Sequence, residues 1–250
     1  MRGRYEGVGN IIRFNWPYYL LAVAVVALSF VAAIFTNGYL KIAAIAIGLM
    51  TLSATAASLI VSWYVYDQSG FYRFEWLKVL SASSPGNISN INAGFDETTA
   101  MVKSLFPNAA ITPCDFYEGE KHTAASIRRA RKRYPAADGV KKISSDAMPF
   151  ADGKVEEILA VMAVHEIRNA DERTRFFREA KRCLKPGGRI VMVEHLRDLP
   201  NFLAYNVGAF HFHSRRSWLD AISNAGLVVE SESKWTPFIS IFSIKNGTSS

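Results

Sequence analysis

Residues 17–66 carry a single charged side chain, Lys41, and that constrains the chain more than any other feature. The run PYYLLAVAVVALSFVAAIFT, residues 17–36, is uncharged. As a helix rising 1.5 Å per residue, it reaches about the 30 Å of a bilayer's hydrocarbon core. After Asn37-Gly38, a turn-prone pair, residues 42–66 are uncharged again. The pattern predicts a hairpin of two transmembrane helices, with Trp16, Tyr18, Tyr19, Tyr39, Trp63, Tyr64 and Tyr66 at the expected interfaces. Arg2, Arg4 and Arg13 precede it and Arg73 and Lys78 follow, against Lys41 in the turn. The positive-inside rule then places both termini and the remaining chain in the cytoplasm, as an integral membrane protein. A cleaved signal peptide is a poor fit, because the first run starts late and a second follows it directly. A buried hairpin in a soluble protein is the other alternative. Gly48, Ser53, Ala54, Ala56, Ala57 and Ser58 permit close helix packing.

The net charge of +7 suits an anionic partner: nucleic acid, an acidic cofactor or anionic lipid. No nucleic-acid recognition motif accompanies the basic residues, so nucleic acid is not expected. The two cysteines, Cys114 and Cys183, make neither a disulfide framework nor a metal-ligand spacing.

Three regions follow: an anchor over 1–70, an interfacial linker over 71–86 with a short helix in FYRFEWLKVL, and a domain over 87–250. In the domain, apolar runs alternate with polar-faced helices, the signature of βαβ units. Strands are expected near 88–92, 110–115, 140–144, 157–162, 189–194, 227–232 and 239–245, and helices near 97–106, 118–134, 171–184 and 214–225. This is an α/β fold with a Rossmann-like, doubly wound, mostly parallel seven-stranded sheet. Ligands of such sheets bind beyond the carboxyl ends of the strands, where Gly94, Asp96, Glu97, Asp115, Asp146, His165, Glu166 and His195 fall.

Three stretches resemble the class I S-adenosylmethionine-dependent methyltransferases: FFREAKRCLKPGGRIVMVEH (176–195), SSDAMPFADGKVEEILAVMAVHEI (144–167) and ITPCDFYEGEKHTAASIRRARKR (111–133). The first is similar to the family's helix, Lys-Pro-Gly-Gly turn and fifth strand. The second is similar to its Asp-Ala segment and fourth strand, and the third has an acid ending the second strand. The family's Gly-rich loop reads NINAGFDET here (90–98). It keeps Gly94, with Asn92 and Asp96 where glycines are usual and Asn90 where an acid is usual.

The resemblance implies S-adenosylmethionine as cofactor. It implies that Asn92 and Gly94 approach the methionine end. Asp96 and Glu97 either meet the cofactor's ammonium or serve as first-turn acids of a helix. Asp115, with Phe116 beside it, would hold the ribose hydroxyls, or else cap the next helix. Asp146, Ala147 and Met148 would meet the adenine, with a turn aspartate as the alternative. Val164 completes the cofactor set.

His165, Glu166, His195 and His211 are the candidate catalytic groups. A neutral imidazole can take a proton from a phenol or hydroxyl as it attacks the methyl group. The alternative is histidines satisfied by hydrogen bonds in half-buried loops. His122 is expected at the surface. Imidazoles with Glu166 or Glu194 are competent metal ligands, but no metal site is expected, because His211-Phe212-His213 aligns its rings only when extended. Residues 196–213, LRDLPNFLAYNVGAFHFH, are rich in apolar groups for a surface connection and either lid the pocket or dip into the membrane interface. RRARKR, residues 128–133, either touches lipid headgroups or is a solvated helix face.

The expected activity is methyl transfer to a lipophilic or membrane-associated small molecule: a quinone-like phenol, an isoprenoid or a lipid headgroup. The alternatives are another group transfer from the same cofactor and a noncatalytic membrane scaffold. Membrane lipids are the other expected partner.

Overall fold

The computed structural model describes residues 3–80 and 85–247. Arg2 and positions 81–84 of the expected linker lie outside the described residues.

Helix α1 (Glu6–Phe35) starts well before the uncharged run and kinks where Asn15 leaves helical geometry (φ −116°, ψ 16°), two residues ahead of Pro17. Proline has no N–H for the helical ladder, so a kink is expected there. Helix α2 (Gly38–Trp63) returns against α1. A Cβ on Gly48 would lie 3.3 Å from both the Phe30 ring and the Ser29 Cβ, so glycine lets the two backbones close. Leu21, Ile34, Ile42 and Met50 are exposed, uncovered by any of the described residues. Both helices are long and apolar enough to cross a membrane, with mean hydropathies of 2.4 and 2.0.

A π-helical turn, Tyr64–Gln68, ends α2. Its Asp67 carboxylate accepts hydrogen bonds from the backbone N–H groups of Gly7 (2.8 Å) and Val8 (2.9 Å). These are orphan donors of the first turn of α1, so one carboxylate ties together the two ends of the hairpin.

The expected interfacial linker is core material instead. Phe71, Phe74, Trp76 and Leu77 are buried, the last two on helix α3 (Glu75–Leu80), and pack with Ile88, Leu159, Val191 and Ile241 of the sheet. Spacing alone could not reveal this, because four apolar side chains look alike facing lipid or facing a sheet.

The domain runs β1 (Asn87–Asn92), α4 (Thr99–Leu105), β2 (Ala110–Asp115), α5 (Ala125–Arg133), β3 (Lys141–Lys142), β4 (Val155–Val161), α6 (Ala170–Cys183), β5 (Leu184–His195), α7 (Leu199–Tyr205), α8 (Arg215–Asn224), β6 (Leu227–Thr236) and β7 (Ile239–Asn246). The seven-stranded sheet has the order β3-β2-β1-β4-β5-β7-β6. Its pairs are parallel except those of β7, which runs antiparallel to β5 and β6. Successive residues of β4 alternate between two cores: Ile158 and Ala160 with Phe176, Phe177 and Trp218 on one face, Leu159 and Val161 with Val102 and Phe71 on the other. Helices cover both faces, as the doubly wound expectation required.

Two elements differ locally from expectation. The helix expected over 118–134 forms only as α5, because residues before it turn back so that the Glu118 N–H donates to His122 Nδ1 (2.9 Å). The Lys-Pro-Gly-Gly turn lies within the long β5: pairing with β4 jumps from Leu184 opposite Val155 to Arg189 opposite Glu157.

Candidate functional site

Strands β1 and β2 end side by side, with Asn92 opposite Asp115, and the loops that follow them build the site. Gly94 has φ +88°, and a Cβ there would lie 2.9 Å from Cγ of Tyr117, so both the turn and the packing require glycine. Asn92 and Asp96 do not have positive φ, so the loop needs a single glycine for its turn. The Asp96 carboxylate accepts from the backbone N–H of Thr98 (3.0 Å) and Thr99 (2.9 Å), which fixes the turn leading into α4. Asn90 bonds the hydroxyls of Thr98 (2.9 Å) and Thr99 (2.7 Å), which fastens the same loop to its strand.

Asp115 is buried. One carboxylate oxygen accepts from the N–H of Gly94 (2.8 Å) and of Tyr117 (2.9 Å), and the other pairs with the Arg131 guanidinium. It therefore holds the loop together and does not cap α5. Arg131 belongs to the RRARKR run expected as a solvated or lipid-facing helix face. Arg131 pairs with Asp115 and Arg129 donates to the Phe14 carbonyl, so two members of that run dock inward.

A cleft of about 500 Å³ lies at these strand ends, lined by Asn92, Gly94, Asp96, Glu97, Asp115 and Arg131 among others. Helix α1 packs against residues that line this cleft. Phe14 packs edge-on against Phe95 (5.4 Å), and Phe95 stacks on Tyr134 (4.9 Å), which also lines the cleft. Glu97 accepts from the Tyr72 hydroxyl (2.8 Å) and the Asn10 amide (3.4 Å), tying the hairpin and the segment after it to the loop.

These residues fit a nucleoside carrying an amino-acid tail. A carboxylate ends β2, a positive-φ glycine follows β1, and the buried Asn92 amide nitrogen has no hydrogen-bond partner among the described residues. Arg131 is the group that must release Asp115 for ribose hydroxyls to bond it.

The expected adenine set does not gather there. Asp146 is exposed and bonds the Ser144 hydroxyl (2.7 Å) and Arg175 (3.3 Å); Ala147 is exposed; neither lines the cleft. The Ser144 hydrogen bond, with help from Arg175, holds the Asp146 pKa below the usual carboxylate value against the opposing effect of burial. Met148, Phe116 and Val164 are buried in the core that contains Phe176. His122, expected at the surface, is buried between Phe116 and Tyr117, with Glu172 4.0 Å away.

The histidines separate into two groups. His195 is buried beneath Tyr66, whose hydroxyl lies 2.7 Å from Nε2. Nδ1 faces two acceptors, the Phe238 carbonyl (2.9 Å) and the Asn201 side-chain oxygen (3.0 Å). Nδ1 therefore carries the proton, and Nε2 accepts from Tyr66. Burial pushes the His195 pKa down to about 4 despite those hydrogen bonds. The structure gives this residue a locked neutral ring in place of the catalytic position expected.

His165, Glu166 and His211 do converge. They come from a 3-10 turn after β4 (Val164–Glu166) and from the end of another (Asn206–His211). Nε2 of each imidazole lies 3.5 Å from Oε1 of Glu166. The fully buried Glu194 accepts from the His165 backbone N–H (3.1 Å) and sits 2.7 Å from its Nδ1. Burial lowers the His165 pKa, but the negative charges of Glu194 and Glu166 beside the ring outweigh it and raise it to about 10. The same imidazoles hold Glu166 well below the carboxylate range, against the effect of its burial. At neutral pH His165 is then an imidazolium between two carboxylates, and not the free base expected.

Arg131, Tyr117, Tyr66 and Phe14 were not singled out as site residues. Each depends on a long-range contact, and only the basic run and the aromatic belt marked their neighbourhoods.

A family model described as "Methyltransferase domain" matches residues 93–192. The ubiquinone/menaquinone biosynthesis C-methyltransferase UbiE of Desulfotalea psychrophila is 29% identical over 144 residues, 56% of this chain and 54% of that protein. The protein of the same name from Geotalea daltonii is 26% identical over 138 residues, 55% and 56% of the two. The chain thus spans about half the length of the curated relatives it matches. Human N-acetylserotonin methyltransferase, solved in complex with S-adenosylmethionine, superposes with a TM-score of 0.55 at 13% identity, covering 96% of this chain and 70% of that one. At that identity the likeness is one of fold. Residues 93–192 thus match a methyltransferase domain, and the strand order agrees with the fold of the solved methyltransferase.

Proposed function

We propose that this protein is a membrane-anchored methyltransferase that moves a methyl group from S-adenosylmethionine to a lipophilic small molecule, with a quinone-like phenol as the leading acceptor class. The observation that carries this reading is the docking of α1 on the cofactor loop, Phe14 on Phe95 and Asn10 on Glu97. An anchor packed against residues that line the site holds the site at the bilayer surface. Helix α7, packed on α2, adds Leu199, Phe202 and Leu203, with Val207 and Phe210 following, as an exposed apolar patch beside the spans. The printed names of the UbiE relatives favour quinone-type acceptors.

The bound cofactor supplies an electrophilic methyl group on a sulfonium. Asp115, released by Arg131, accepts the ribose hydroxyls, and the Asn92 amide donates to the amino-acid end. Most of the catalytic contribution is positioning, with the His165–Glu166–His211 cluster on the acceptor side. Arg131 closing on Asp115 favours a second reading, a scaffold that no longer binds the cofactor.

Calorimetry of the detergent-solubilised chain with S-adenosylmethionine separates the two. Binding that Asp115→Ala abolishes supports the enzyme, and no binding supports the scaffold. Label from methyl-labelled cofactor entering a quinol-type acceptor identifies methyl transfer. Label that stays out while the cofactor is consumed indicates another group transfer. Full activity on lipophilic acceptors after deletion of residues 1–66 would overturn the role given to the anchor.

A further inference from the structure

We propose that His165, Glu166 and His211 form a binding site for one divalent transition-metal ion, with zinc the best match to two imidazoles and a carboxylate. Both imidazole Nε2 atoms stand 3.5 Å from the same carboxylate oxygen, and the three donor atoms lie within 4.8 Å of one another. That spacing exceeds the range of an N–H···O hydrogen bond, about 2.7–3.2 Å. It matches the edge of a coordination tetrahedron: bonds of about 2.0–2.1 Å to zinc place neighbouring ligand atoms about 3.4 Å apart.

The surroundings support the ligands. Glu194, fully buried, contacts His165 Nδ1 at 2.7 Å and its backbone N–H at 3.1 Å, leaving Nε2 turned to Glu166, where an arriving ion displaces the Nε2 proton to solvent. A carboxylate behind a ligating imidazole is the usual device that fixes ring orientation and raises ligand basicity. The two ligand-bearing turns follow β4 and β5 in the chain and meet near Glu194 at the carboxyl end of β5, where sheets of this kind place their chemistry. His165 and His211 keep 15% and 33% side-chain exposure, so the site has an entry path.

Arg168 opposes the ion. Its guanidinium touches the His211 ring and carbonyl. It is exposed and lies 3.0 Å from His211 Nε2, the proposed ligand atom, so the ion must displace Arg168 to bind His211. With three protein ligands one tetrahedral position stays open, and an acceptor hydroxyl bound there would become more acidic. That use rests on the methyltransferase reading; the binding of the ion does not.

The test is a zinc titration of the detergent-solubilised full chain, stripped with a chelator, against a chromophoric competitor. S-adenosylmethionine binding is measured on the same samples. One ion per chain is expected, with affinity falling by about 10- to 100-fold in Glu194→Gln and further in His211→Ala and Glu166→Gln. Arg168→Ala should bind more tightly. Thermal melts identify any variant that fails to fold, and His211→Ala, at a partly exposed position, carries the decision if Glu166→Gln does. Wild type that binds cofactor without zinc overturns the inference alone, as does unchanged affinity in His211→Ala. Zinc bound at this site without cofactor supports the inference and overturns the proposed function.

Discussion

Tyr66, on the turn that ends the second apolar helix, donates its hydroxyl hydrogen to Nε2 of His195 at the end of β5, across 2.7 Å. The bond joins the hairpin to the middle of the sheet, and the His195 ring passes the connection on to Asn201 at the start of α7 and to the Phe238 carbonyl.

Replacing Tyr66 with Phe leaves the buried Nε2 of His195 without a donor. A buried acceptor stranded in this way costs about 1–3 kcal/mol. Thermal unfolding of the detergent-solubilised protein should show a lower Tm for Tyr66→Phe with the fold retained. An unchanged Tm would mean that the hairpin is attached without this bond.

The same ring sets a pH dependence. Its folded pKa, pushed by burial to about 4, lies below the ordinary 6.5. Between those values the unfolded chain binds more protons, so stability rises with pH there. The contribution is fully present above about pH 6.5 and is lost as pH falls toward 4, up to roughly 3 kcal/mol. Denaturation midpoints across this window should fall more steeply for the wild type than for His195→Asn.

Arg131 and Asp115 should act in opposite directions on cofactor affinity. Asp115→Ala removes both the ribose acceptor and the clamp on the Gly94 and Tyr117 N–H groups. Hydrogen bonds to a charged group are worth about 1.5–3 kcal/mol each, so affinity should fall at least tenfold. Arg131→Ala frees the carboxylate and should leave affinity equal or higher. Weaker binding in Arg131→Ala would show that the arginine holds the cofactor itself.

Gly94→Ala tests the loop. The new methyl group meets both a positive φ and the Tyr117 ring. Strain and overpacking together should cost about 2 kcal/mol or more. The Tm should drop and cofactor binding weaken, whereas Gly139→Ala, also at positive φ but with open space around it, should lower Tm less and spare binding.

Much of the fold was legible in the order of residues. Runs without charge mark the two long helices, and alternation of apolar and polar residues marks the strands, because packing on a sheet face imposes its own period. The expected β2 range matches the structure's. Asn169 and Ser214 cap α6 and α8 as local hydrogen-bonding rules require. What failed was context. Phe71, Trp76 and Leu77 read as interfacial and are core; His122 reads as exposed and is buried.

For the site, the sequence determined which chemistry stands at each strand end: Gly94 after β1, Asp115 ending β2, His165-Glu166 after β4 and Glu194-His195 ending β5. Strand endings follow from local pattern. Only the tertiary structure decided which of those groups meet. It turned Asp146 out to Arg175, locked His195 under Tyr66, set Arg131 on Asp115, and brought His211 across 45 positions of chain to Glu166. The reason is physical: a hydrogen bond or ion pair is decided within a few ångströms, and residues so far apart in sequence reach that distance only when the sheet and both of its helical layers have packed.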